Sequence, residues 1–169
     1  MSAARTRPSF GPERQGGLWP FVIVALASFS AVAAARVSHH VYGMEPCPRC
    51  VLQRLVFVAI GLFALLGLIW RGAAGRRVTA TASLLLAAAG LAAALWQHFA
   101  AARSASCNLT LADRLMNATG LNAMLPDVFE SRASCADAAV SLFGVPYDFW
   151  SAGLFAIIAI VMIAALRRR

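Results

Sequence analysis

Cys47-Pro48-Arg49-Cys50-Val51-Leu52-Gln53-Arg54, running without a break into the apolar stretch Leu55 to Trp70, decides the architecture of this chain. Pro46 and Pro48 suit an extended approach to a helix and a helix start, but not a helix interior. From Cys50 to Trp70 the only charged residue is Arg54. At about 1.5 Å per residue that run crosses about 30 Å of hydrocarbon, so it reads as a membrane span entered just after a cysteine pair.

Three further runs have the same character: Leu18 to Val37, Val78 to Phe99 and Phe149 to Leu166. Of the 169 residues 60% are hydrophobic and only 13% charged, with a mean hydropathy of +0.71, whereas soluble domains carry about 25% charge. The apolar residues are also segregated into long runs, which excludes an ordinary soluble core. The expected fold is all-α: one integral membrane four-helix bundle with a long external loop. The short basic connection Arg71-Gly72-Ala73-Ala74-Gly75-Arg76-Arg77 makes spans two and three an antiparallel hairpin. The chain then divides into a tail (1–17), a transmembrane domain (18–166) with external loops at 38–49 and 100–148, and a short tail (167–169).

The formal charge of +8 comes from arginine alone, since the chain has no lysine. Arginines gathered on one solvated face would point to nucleic acid; here they cluster at the ends of the apolar runs, and no nucleic-acid partner is expected. Arg5, Arg7, Arg14, Arg71, Arg76, Arg77, Arg167, Arg168 and Arg169 fall on one side, against Arg36, Arg49, Arg103, Arg114 and Arg132 on the other. Nine against five, the five spread over far more loop, places both termini in the cytoplasm. All four cysteines then face outward, the oxidising side of a bacterial inner membrane. Ala31 to Ala35 has the small-residue texture of a signal cleavage site, but the run before it exceeds the usual ~7–15 residues of such segments and is expected to span.

The long loop carries Cys107 and Cys135 and five of the seven acidic residues. Leu109, Leu111, Leu115 and Met116, then Leu121, Met124, Leu125, Val128 and Phe129, recur among polar residues, interrupted by Gly120 and Pro126. This pattern predicts one or two short amphipathic helices on the membrane surface.

Cys50 is expected near a helix N-terminus, where unpaired N–H groups and the macrodipole favour an anion, here a thiolate. Arg54 lies at i+4, on the same face and one turn deeper, and Arg49 is adjacent. An arginine inside an apolar span is costly: about 2.5–3.5 kcal/mol at the centre and less near the interface. It either snorkels to headgroups or serves a ligand with a polar head. Zinc is a poor fit to the cysteine pair even with His39 and His40, because no second CxxC is present. A purely structural bridge over two residues closes almost no loop. A pair of this kind is suited to opening and closing.

These features resemble the disulfide bond formation protein B (DsbB) family. The resemblance rests on four spans with cytoplasmic termini, Pro46-Cys47-x-x-Cys50 leading into span two, and Arg54 four residues on. It extends to Ser106-Cys107, Ser134-Cys135-Ala136-Asp137 and the Leu142-Phe143-Gly144-Val145-Pro146 approach to span four. It implies a quinone-coupled thiol oxidase in which Cys47, Cys50, Cys107 and Cys135 are the redox residues. A reduced DsbA-like periplasmic thioredoxin-fold protein would attack Cys107 and open a Cys107–Cys135 bridge. Cys135 would engage Cys47, and Cys50 would pass electrons to a membrane quinone, ubiquinone or menaquinone, held by Arg54. His98, beside Trp96 and Gln97 at the outer end of span three, would line the quinone site. DsbA itself is the standard strong oxidant near −120 mV; an ordinary dithiol near −200 mV would take its electrons uphill by about 3.7 kcal/mol, so a stronger terminal acceptor is implied. The Pro-Arg dipeptide within the pair and Gln53 before Arg54 depart from the family pattern without removing a reacting group.

Two other classes compete. A vitamin K epoxide reductase-like enzyme is also a small helical thiol–quinone protein, but its CxxC follows the loop cysteines, whereas here it precedes them. A non-catalytic tetraspan that binds metal or scaffolds a partner predicts inert cysteines and tolerance of Arg54→Ala. A transporter has little support, with no central ionisable residue in four spans.

Overall fold

The computed structural model describes residues 17–42, 48–70, 72–99, 118, 120, 141–142 and 144–167. It contains four long helices: α1 (Trp19–Tyr42), α2 (Pro48–Ile69), α3 (Ala73–Phe99) and α4 (Tyr147–Arg167). All four are long and apolar enough to cross a membrane. No more than 39% of any span is buried inside the bundle. Most of the apolar side chains, among them Leu26, Leu62, Leu85 and Ile160, therefore face outward, as lipid requires and water would penalise. The chain is a multi-pass membrane protein with the all-α four-helix architecture expected.

Proline sets the helix starts. Pro20 sits in the first turn of α1 and Pro48 is the first residue of α2, positions where a missing N–H costs nothing. Leu18 caps α1 by accepting the N–H groups of Phe21 and Val22 at 3.0 and 3.2 Å. Pro146 ends a two-residue strand immediately before α4. That strand, β2 (Val145–Pro146), pairs antiparallel with β1 (Ser141–Leu142) in the register Ser141↔Pro146 and Leu142↔Val145. Gly144 closes the turn at φ 79° with open space around it, so a side chain there would be opposed by its backbone conformation alone.

The helix limits fall within about two residues of the expected spans except at two places. α1 continues past Val37 to Tyr42, and α3 begins at Ala73 rather than Val78. Hydropathy marks the hydrocarbon, not the helix, and good helix formers such as Arg76 and Arg77 prolong α3 beyond the apolar stretch. The α2–α3 corner is correspondingly tight. Trp70 donates its N–H to Leu66 at 2.8 Å, and its ring lies 2.5 Å from where a Cβ on Gly75 would stand. Gly120 adopts φ 66°, at one of the interruptions expected in the long loop. The amphipathic helices expected there, with Cys107 and Cys135, lie outside the described residues, as does Cys47.

α1 packs on α2, α2 on α3 and α3 on α4, whereas α1 and α4 meet only sparsely. The core runs through Phe21, Val24, Phe57, Ile60, Phe155, Ile158 and Met162. Phe57 and Phe155 stack with centroids 4.1 Å apart and planes 2° from parallel. Phe155 is pressed onto Gly90, whose missing Cβ would stand 2.6 Å from the ring. Small residues at such points let membrane helices approach closely. Gly90→Ala should therefore lower stability by about 1–3 kcal/mol through overpacking, because a ring stacked on Phe57 has nowhere to retreat. Thermal unfolding in detergent checks this, with Gly72→Ala, where a Cβ meets nothing within 4 Å, as the nearly neutral reference.

Candidate functional site

The first two turns of α2 present Cys50, Gln53, Arg54 and Phe57 on one face, at i, i+3, i+4 and i+7. Because α2 begins at Pro48, Cys50 lies within the first turn, where helix N–H groups lack intrahelical acceptors. It is half-buried, while Gln53 and Arg54 behind it are buried.

Arg54 does not snorkel outward. It is only 7% exposed, and its Nη2 donates to the carbonyl oxygen of Ala35 on α1 at 3.2 Å. A helical carbonyl keeps a second lone pair after its own ladder bond, so Ala35 can take this extra donor. The bond ties α2 to α1 one turn below Cys50 and holds the guanidinium inside the bundle.

All four residues of the α2 face line a cavity of about 540 Å³. α1 supplies the opposite wall through Ala31, Ala34, Ala35 and Ser38, again at i, i+3, i+4 and i+7. α4 completes it with Phe149, Trp150, Ser151, Gly153, Leu154 and Ile157. The cavity thus occupies the seam where α1 and α4 pack least. Its walls are mainly apolar, with polar side-chain groups on Arg54, Gln53, Cys50, the two serines and the indole of Trp150. A few polar groups in an apolar hollow of roughly 300–1,000 Å³ is the usual make-up of a small-molecule site.

The structure brings Cys50 and Arg54 to one cavity. His98, in the last turn of α3, packs its ring at 4.4 Å against Phe149 and at 5.1 Å against Phe99. It reaches the cavity through Phe149 rather than as part of the wall. Sequence reasoning missed the α1 wall and the α4 aromatics. Ala31, Ala34, Ala35 and Ser38 do form a small-residue stripe at helical spacing, which was readable as a hollow or a close contact but not as one of the two.

Comparison with known proteins settles the family. A family profile described as Disulfide bond formation protein DsbB matches residues 18–165. The chain belongs to the DsbB family. It is 33% identical over 157 residues to Disulfide bond formation protein B of Ralstonia nicotianae, covering 88% of this chain and 93% of that one. The protein of the same name from Stutzerimonas stutzeri is 35% identical over 154 residues (88% and 94% covered), and that of Aromatoleum aromaticum 37% identical over 135 residues (76% and 81%). The matched range, residues 18–165, spans the positions of the cysteine pair and the long loop and nearly all of the four helices. Membership makes this chain a membrane protein of disulfide bond formation, with the oxidoreductase character that the DsbB name implies.

Proposed function

We propose that this chain reoxidises a DsbA-like periplasmic dithiol protein by disulfide exchange and delivers the electrons to a membrane quinone. The observation that carries this reading is the shared wall: Cys50 and Arg54, one helical turn apart, border the same apolar cavity at the start of a helix long and apolar enough to span a membrane. The residues fit a quinone. Phe57, Phe149 and Trp150 offer flat apolar faces for a ring, and Arg54, Gln53 and Ser38 offer hydrogen-bonding groups for its oxygens. The sparse α1–α4 seam suits an isoprenoid tail lying toward lipid. A quinone, when bound, supplies the terminal acceptor of two electrons and two protons.

The exchange steps balance. A partner thiolate attacks Cys107 Sγ and breaks the Cys107–Cys135 bond. The partner's second thiol then closes the partner's own disulfide and releases Cys107. Cys135 attacks Cys47 and breaks Cys47–Cys50, leaving Cys50 as a thiolate in the first turn of α2. There the helix N-terminus and the buried Arg54 stabilise negative charge. Cys107 displaces Cys47 from Cys135, and Cys47 bonds Cys50 as the electron pair leaves toward the acceptor. The partner loses two electrons and two protons, and the acceptor gains both. In this reading both termini are cytoplasmic, the four cysteines are periplasmic, and His98 acts on the site only by supporting Phe149.

The test mixes the purified oxidised protein with a reduced DsbA-like protein and a soluble ubiquinone or menaquinone analogue, following quinone absorbance. Consumption of one quinone per partner disulfide supports the reading. Folded protein that consumes none with either quinone sinks it. A cavity variant adds a graded check. Ala34→Leu puts a branched side chain into the α1 wall and should raise the apparent KM for quinone on the order of tenfold, with kcat largely kept. A change in kcat alone would place the quinone elsewhere.

A further inference from the structure

The end of the bundle opposite Cys50 carries a feature that thiol chemistry does not use. α3 begins and α4 ends there, and the packing fixes their register: Phe155 lies on Gly90 and Phe149 on His98. Carried along two antiparallel helices, that register brings Arg76 and Arg77 to the level of Arg167. Arg76 is half-buried, and Arg77 and Arg167 are exposed. Among the described residues this end holds no carboxylate. In the whole sequence Glu13 is the only acid not in the stretch Tyr42–Cys50 or the long loop and its junction with α4.

Three further observations shape the site. The first-turn N–H groups of α3 open toward this end and favour an anion. Trp70, 56% exposed, lays its ring on Gly75, one residue before Arg76, and is of the amphipathic type that gathers at membrane–water interfaces. Below Arg77 the outer face of α3 continues with exposed Val78 and Leu85, a track for an acyl chain. We infer that this α3–α4 corner is a headgroup site for an anionic phospholipid, its phosphate held by Arg76, Arg77 and Arg167 and its chain lying along Val78 and Leu85. Arginines that served topology alone would have no need of one anionic lipid over a neutral one at this corner.

The test uses Trp70 as the reporter, in full-length protein carrying Trp19→Phe, Trp96→Phe and Trp150→Phe. Brominated phosphatidylglycerol and brominated phosphatidylcholine are compared as quenchers in mixed micelles. Phosphatidylglycerol should quench Trp70 at about fivefold lower mole fraction, the preference expected from even one arginine engaged at an anionic surface. That preference should collapse in Arg76→Gln/Arg77→Gln and survive in Arg76→Lys/Arg77→Lys. It should also fade in about 1 M salt, where the screening length falls to about 3 Å. The salt arm needs no substitution beyond the three Trp→Phe changes and decides the matter if the Gln pair fails to fold. Equal quenching by the two lipids overturns the inference, as does a preference that persists in a folded Gln pair. Displacement of phosphatidylglycerol by millimolar inorganic phosphate also overturns it, because the corner would then be a phosphate site without use for a lipid chain.

Discussion

Cys50→Ser is expected to reduce quinone consumption to background, a loss of more than about 10³-fold, while leaving the protein folded. The proposed path gives Cys50 the last sulfur before the acceptor, and a hydroxyl can neither form the Cys47 bond nor present a thiolate. Serine is nearly isosteric, and Cys50 is half-buried in the first turn of α2, so stability should change by less than about 1 kcal/mol. The measurement is quinone absorbance with reduced partner, alongside a detergent unfolding curve. Cys107→Ser separates the two halves of the relay. It should lose oxidation of the protein partner to a similar degree, yet keep quinone reduction when a small dithiol reaches the Cys47–Cys50 bridge directly. Persistent turnover in Cys50→Ser would remove Cys50 from the electron path. Equal loss of both activities in Cys107→Ser would remove the ordering of the two pairs.

How much of this was legible beforehand follows from what sequence encodes locally. The bilayer sets a minimum apolar length, so four spans could be read directly, and Pro48 marked the start of α2. The Cys50–Arg54 pairing was also local, because i and i+4 share a face whatever the helix packs against. The destination of the Arg54 side chain was not. Its acceptor is a backbone carbonyl 19 residues away, chosen by the register of α1 on α2, and an alanine carbonyl leaves no trace in composition. The cavity was hidden for the same reason. Ala31, Ala34 and Ala35 fit a tight helix contact as well as a hollow, and only the sparse α1–α4 seam decides for the hollow. His98 was readable as an interfacial residue, but its partner Phe149 is on the neighbouring helix α4, far along the sequence after the long loop.

Arg54→Met should separate function from stability. The substitution keeps an unbranched apolar stem and removes both the charge and the 3.2 Å bond to Ala35. A hydrogen bond from a charged donor contributes roughly 1.5–3 kcal/mol. Placing an arginine in a span costs up to about 2.5–3.5 kcal/mol, less toward the interface where Arg54 lies. The two effects largely offset each other, so the unfolding midpoint should hardly move. Turnover is another matter. In the proposed reading, a quinone reduced in this cavity would develop negative charge at its oxygens beside Cys50, and the buried cation in the cavity wall is Arg54. Losing a preorganised charged donor at such a point costs on the order of 10²–10³ in rate. Arg54→Lys should recover part of that loss, since a point charge returns but the planar fork that can hold Ala35 and a ligand together does not. A residue kept only to join α1 to α2 predicts the reverse pattern: a lowered midpoint in the Met variant, with activity falling no further than the folded fraction. Measuring both quantities on the same preparations distinguishes the two.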